Sequence, residues 1–321
     1  MHRSTVPGSS RTLALGAIVL TTALWGLSYP LTKDLVSIYP PGQLAVLRLA
    51  IALVVMLPIL LAQGKRPVLS RLSVLLGLTG VAMFQMLQNS GMQSVSAGAS
   101  VVVLYGGIVI LSSLLGWRVL GETCSPMMLG ALAISAVGVG LVALTVSGDS
   151  DAGLPVVGVL LIIAAAGAWA VYTVIGRRAE DVDVLALNAG ALLVGMIGIV
   201  PLAVREQRPA WETIAVGSDL LALVTLGAVV TAGSYFFWSY SLRHLRVIEA
   251  SVLSSAEPVF GLAFAWLLLG ETVSWYEAVG ATAIVGGCLL LVGEQEWPRP
   301  MTLGRDRAPC PVPGVQCPVS E

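Results

Sequence analysis

Apolar residues dominate long stretches of the chain, and the polar residues that interrupt them fall at near-regular intervals. Read this way, Pro, Gly and charge bound ten apolar spans at about 12–32, 42–62, 72–92, 97–117, 126–146, 154–175, 184–204, 219–241, 247–269 and 274–293. Each is long enough to cross a hydrocarbon core of roughly 30 Å as a helix. The joins between them are short, and 205–218 is the longest. The pattern therefore predicts an all-α integral membrane protein with ten transmembrane helices and no soluble domain. It divides into a tail at 1–11, a first five-helix unit at 12–146, a second at 154–293, and a tail at 294–321. The last tail holds Pro298, Pro300, Pro309, Pro311, Pro313 and Pro318 and is expected to be disordered. The apolar run that follows MHRSTVPGSSR is too long for a secretory leader and reads as an uncleaved first span.

Composition agrees with the pattern. Hydrophobic residues make up 56% of the 321 and charged residues 11%, against roughly 25% charged in soluble domains. A net charge of −1 with scattered basic residues implies no nucleic-acid partner. The basic residues are nonetheless unevenly sided. Arg3, Arg11, Lys65, Arg66, Arg71, Arg118, Arg177, Arg178, Arg243, Arg246, Arg299, Arg305 and Arg307 fall on one side of the ten spans, and Lys33, Arg205 and Arg208 on the other. Thirteen against three places both termini in the cytoplasm, by the excess of Lys and Arg in cytoplasmic loops.

The sequence also repeats. GETCS at 121–125 and GETVS at 270–274 each follow one span and precede the next, and WGLSYPLTK at 25–33 corresponds to WAVYTVIGR at 169–177. The offsets are 149 and 144 residues. Five spans per unit is an odd number, so the second unit enters the membrane upside down relative to the first. Inverted repeats of this kind are an architecture of alternating-access carriers, with the solute site between the halves.

Candidate chemistry is sparse, which makes each polar residue within a span informative. Glu257, beside Pro258, lies ten residues into the ninth span as drawn from Val247, about 15 Å along a helix axis and hence near the midplane. Pro258 cannot donate to the carbonyl of Ser254, so an acceptor is freed at that depth. A carboxyl there is a candidate proton carrier; the alternative is a packing acid that hydrogen-bonds across a helix interface. Gln85, Gln88 and Asn89 share a helical face and are expected to meet other helices or a wet interior. Tyr235 and Trp238 hold comparable positions in the eighth span. Trp25 and Tyr29 are further candidates, although aromatic residues also favour membrane interfaces. Arg48 lies six residues into its span, about 9 Å deep, and snorkels outward, pairs structurally or holds an anionic group. Glu122, Glu271 and Glu277 read as structural: Ser125-Pro126 resembles an N-cap with proline at the first helical position, and Ser274-x-x-Glu277 a capping box. The four cysteines lack a metal-ligand spacing, and no cofactor is expected.

In combination, Trp25-Gly26-x-Ser28 followed by Lys33, the joints Leu120-Gly121-Glu122 and Leu269-Gly270-Glu271, and Glu257-Pro258-Val259 resemble the EamA family of the drug/metabolite transporter superfamily. The likeness covers about 12–293. It implies a secondary carrier for small metabolites, amino acids or drug-like compounds, often directed outward across a plasma membrane. Such a carrier's partners are a small-molecule solute and the lipid bilayer; a proton gradient and a homodimer are compatible with it. One feature departs from the family pattern. The place in the first unit where a proline is expected reads LYGGIVIL, with Gly106 and Gly107 and no acid, so the ionisable group of the site comes from the second unit alone.

No G-x-x-x-x-G-K-[ST] phosphate loop occurs, so ATP hydrolysis within the chain is excluded. An integral-membrane enzyme acting on a lipid or prenyl substrate is the alternative class. It is disfavoured because only two histidines occur and the paired acids Asp149/Asp151 and Asp181/Asp183 fall in short loops.

Overall fold

A computed structural model describes residues 8–121, 125–148, 154–176, 182–206, 217–245 and 253–296. The regular structure among these residues is helical throughout. The spans are α1 (Gly8–Leu35), α2 (Pro41–Ala62), α3 (Arg71–Met92), α4 (Ala97–Leu120), α5 (Pro126–Gly148), α6 (Leu154–Gly176) and α7 (Val184–Ala203). They continue as α8 (Ser218–Val224, Thr225–Gly233 and Ser234–His244 in succession), α9 (Glu257–Leu269) and α10 (Trp275–Glu296). Among the described residues eight helices are long and apolar enough to cross a membrane, and Glu257–Leu269 of α9 and Trp275–Leu290 of α10 are shorter apolar stretches. Large apolar side chains such as Val54, Ile197, Leu221 and Trp266 stand exposed on the outside, as suits a multi-pass protein solvated by lipid. Of the terminal tails, 1–7 and 297–321 lie outside the described residues, as do Glu122, Asp149, Asp151 and Asp181.

Local chemistry sets the helix ends. The Ser125 hydroxyl accepts from Met128 N at 2.9 Å just before Pro126. Ser274 and Glu277 form the expected capping box: Ser274 N donates to Glu277 Oε2 at 2.8 Å, and Glu277 N donates to Ser274 Oγ at 3.2 Å. The repeated joints close their helices identically. Gly121 ends α4 at φ 69° and Gly270 ends α9 at φ 65°, a left-handed cap that glycine adopts without steric cost. A second shared feature was not legible in the sequence. The third span of each half carries a π-helical stretch, Gly77–Met83 in α3 and Thr225–Gly233 in α8. Such wide turns re-aim the side chains that follow, and they occur frequently at functional sites.

The ninth span departs from the expectation of one helix over 247–269. Leu253–Ser254 belong to a preceding helical turn, Ser255–Ala256 form a turn, and a new helix begins at Glu257. Glu257 is therefore not in mid-helix. Pro258 takes the second helical position, where its missing N–H needs no partner. The break still lies deep, because Glu257 is about 18 Å along the axis from Leu269. By contrast, α4 runs unbroken through Gly106 and Gly107. These glycines admit neighbouring side chains, Val139 and Ala166 among them, and do not break the helix.

Gly26 brings α1 against α9. A Cβ there would lie 2.7 Å from the Phe260 Cβ and 2.8 Å from Gly261 N, and the backbone on that side cannot yield cheaply. Gly26→Val is expected to destabilise the protein by about 1–3 kcal/mol, read as a lower thermal unfolding midpoint in detergent. An unchanged midpoint would show that the crossing is loose.

Candidate functional site

Between the two halves lies a cluster of buried polar side chains, defined by the hydrogen bonds that cross it. Tyr29, from α1, donates its hydroxyl to Glu257 Oε1 at 2.9 Å. One helical turn earlier on the same face of α1, Trp25 Nε1 donates to Ser234 Oγ at 3.1 Å. From α2, Arg48 Nε donates to Thr231 Oγ1 at 2.7 Å and Nη1 reaches Gln85 Oε1 at 3.4 Å. Thr231 itself sits in the π-helical stretch of α8 and donates to Leu226 O at 2.7 Å. Three of these contacts join a residue of 12–144 to one of 156–293: Tyr29 to Glu257, Arg48 to Thr231 and Trp25 to Ser234.

Arg48 points inward, only 7% exposed, and does not snorkel outward; it pairs with Thr231 and Gln85. Tyr29 and Tyr235 lie within electrostatic reach of its charge, and Tyr105 within reach of Glu257. Trp238 packs on Trp25 with ring centroids 5.2 Å apart. Gln85, Gln88 and Asn89 are all buried, as their shared face requires. They divide in role: Gln85 meets Arg48, whereas Asn89 Nδ2 donates to Pro41 O at 3.0 Å and ties α3 to the start of α2. Trp169 and Tyr172 belong to another contact, where Tyr172 donates to Asn188 Oδ1 at 2.8 Å. Thr231, Ser234 and Tyr105 were missed in the sequence, where a lone hydroxyl in an apolar span carries no signal of its own. Among the described residues no cluster of His, Cys, Asp and Glu could hold a metal ion.

Toward one end of the bundle, charged side chains hold helix termini. Glu206 accepts from Gly42 N at 2.8 Å and Gln43 N at 2.9 Å, and Glu271 accepts from Ala97 N and Gly98 N, both at 2.9 Å. Lys33 donates to Met92 O at 2.8 Å. Carboxylates thus meet the positive ends of α2 and α4, and an ammonium meets the negative end of α3. At the opposite end Lys65 pairs with Asp183 at 2.6 Å, and Asp183 caps α7 through Ala186 N at 3.1 Å. Asp183 is therefore both a helix cap and an ion-pair partner.

The EamA-like transporter family model matches residues 12–144 and again 156–293. A protein named S-adenosylmethionine/S-adenosylhomocysteine transporter, from Chlamydia trachomatis serovar D, is 28% identical over 303 residues, covering 88% of this chain and 90% of that one. An uncharacterized transporter of Archaeoglobus fulgidus is 28% identical over 282 residues, covering 86% and 97%. The uncharacterized transporter YdfC of Bacillus subtilis is 29% identical over 278 residues, covering 84% and 87%. A solved crystal structure superposes with a TM-score of 0.62 at 22% identity, covering 91% of this chain and all of that one, so the fold is shared.

Proposed function

The chain belongs to the EamA-like transporter family, and from that premise we propose that it is a secondary carrier of small metabolites that works by alternating access between two inverted five-helix repeats, 12–146 and 154–293. The observation that carries this reading is the buried polar cluster whose bonds cross from one half to the other, Tyr29 to Glu257 and Arg48 to Thr231. A site shared by both halves changes its exposure when the halves rock. The solute site comprises Glu257, Arg48, Tyr29, Trp25, Trp238 and Tyr235, flanked by Gln85, Gln88 and Pro258, with Asn89 as an interhelical tie.

Inversion is supported by the contacts at the helix ends. Lys65, after the second span, reaches the start of the seventh, while Glu206, after the seventh, reaches the start of the second. These two contacts exchange places under a two-fold axis in the membrane plane. The basic-residue asymmetry supports cytoplasmic termini and a plasma-membrane location. Transport runs outward, driven by the proton gradient, with Glu257 as the protonatable group. S-adenosylmethionine and S-adenosylhomocysteine, named for the Chlamydia relative, are the first solutes to assay.

The test is counterflow of a labelled metabolite and drug panel in proteoliposomes holding the full-length protein, with and without a pH gradient. Saturable counterflow of at least one solute, accelerated by the gradient, is the expected result. Counterflow of none would overturn the carrier reading; counterflow indifferent to the gradient would overturn the proton drive alone.

A further inference from the structure

We propose that the groove between the first half of α1 and the last turns of α8 binds one anionic phospholipid, with an acyl chain along its floor and the phosphate at its mouth. The inference concerns the lipid-facing side of these two helices and stands apart from the carrier reading.

The two helices run antiparallel where they meet. Ser241 Oγ donates to Ala14 O at 3.1 Å, and further in Trp25 Nε1 donates to Ser234 Oγ. Along the same crossing lies a groove of about 410 Å³, with Thr12, Gly16 and Leu20 on the α1 side and Phe236, Phe237 and Tyr240 on the α8 side. From Thr12 to Leu20 it runs roughly 12 Å along the helix axis. Gly16 makes its floor, because a Cβ at this position would meet no atom within 4 Å. Leu13, Leu20 and Phe236 are 65%, 43% and 41% exposed, so the groove opens outward. On a surface solvated by hydrocarbon, what fills such a groove is a lipid chain.

Polarity is graded along the groove. Its deep end is Leu20 with Phe236 and Phe237. The end nearer the N-terminus has Arg11 and Thr12, both exposed, and Tyr240 packed on His244 with ring centroids 4.5 Å apart. Charge at this end has one sign. Arg11 stands near the start of α1, Arg243 stands in the last turn of α8, and no Asp or Glu occurs over 1–33 or 220–248. An apolar slot that ends in cationic residues and a tyrosine at the membrane surface complements an amphiphile with an anionic head. A zwitterionic lipid offers the same chain without net negative charge, and a free phosphate offers the charge without the chain. Each therefore satisfies only part of the site.

The experiment adds dioleoylphosphatidylglycerol to purified full-length protein in detergent and follows it by native mass spectrometry and thermal shift. One phosphatidylglycerol is expected to be retained and to raise the unfolding midpoint, as a ligand of the folded state does. Dioleoylphosphatidylcholine is expected to bind about fivefold more weakly, the scale of one basic residue at a membrane surface. Glycerol phosphate is expected to leave the midpoint where it is. Gly16→Leu fills the groove from its floor and is expected to weaken phosphatidylglycerol binding at least about tenfold, through the apolar contacts the chain loses. Its lipid-free midpoint is expected to match the wild type, since the added side chain enters open space. If that variant fails to fold, Leu20→Trp blocks the groove from an exposed position and carries the same expectation. Arg11→Gln/Arg243→Gln is expected to bring the two lipids to equal affinity. The inference is overturned if phosphatidylcholine binds wild-type protein as tightly as phosphatidylglycerol, if the groove-filling variant retains phosphatidylglycerol as the wild type does, or if the double variant keeps the preference. A midpoint raised by glycerol phosphate alone marks a phosphate site without a chain and overturns it as well. Transport is not read in this assay, so neither outcome bears on the carrier reading.

Discussion

Glu257→Gln is expected to abolish the acceleration of transport by a pH gradient in proteoliposomes, a loss of about tenfold or more, within the usual range of coupling between two ligands. The amide still offers an oxygen to the Tyr29 hydroxyl, which bonds the wild-type carboxylate at 2.9 Å, so the contact between α1 and α9 survives. What disappears is a group able to gain and lose a proton deep in the membrane, at the point where α9 begins. Exchange of solute without a gradient is expected to continue once its concentration is raised above the weakened affinity. Tyr29→Phe is the matched control: it removes the hydrogen bond, keeps the carboxyl, and is expected to retain the response to the gradient. Full gradient acceleration in the Gln variant would remove Glu257 from proton coupling.

The second large effect concerns the end of the bundle where carboxylates hold helix N-termini. The double variant Glu206→Ala/Glu271→Ala strips charged acceptors from Gly42 N, Gln43 N, Ala97 N and Gly98 N. Water at this end replaces part of each lost contact, so each substitution is worth about 1–2 kcal/mol rather than the full value of two charge-assisted bonds. Together they favour separation of the helix ends by about 3 kcal/mol, which is on the order of a hundredfold in population. Val95, only 1% exposed between α3 and α4, reports the opening. With the native cysteines replaced by serine, Val95→Cys is expected to react with a maleimide at least about tenfold faster in the double variant. Unchanged labelling of a protein with an unchanged melting temperature would show that these carboxylates do not hold this end closed. Each single variant is expected to fall between the two.

Much of the architecture was legible in the chain because lipid imposes a simple rule. A segment surrounded by hydrocarbon must satisfy its own backbone, so a long apolar stretch reads directly as a helix. The capping chemistry was equally local: Ser125 before Pro126, and Ser274 three residues before Glu277, needed only their neighbours to be identified. Glu271 shows where that reasoning stops. Its joint was recognised and a structural role expected, but the backbone it holds belongs to α4, more than 170 residues earlier. Likewise Gln85, Gln88 and Asn89 were expected to share a buried face and do, yet nothing in their spacing separates the amide that meets Arg48 from the one that ties α3 to α2.

The sequence alone determined the class of protein, the positions of the spans, the recurring Gly-Glu-Thr joint and the rarity of polar groups inside the membrane. All of these follow from periodicity and composition within a window of a few turns. The tertiary structure decided where the ninth span breaks, that Arg48 turns inward, and that Thr231, Ser234 and Tyr29 are the groups that meet Arg48, Trp25 and Glu257. The reason is physical: hydrophobic burial in lipid is set by each segment separately, whereas a hydrogen bond between helices depends on rotation, depth and π-helical offsets that only their packing together fixes.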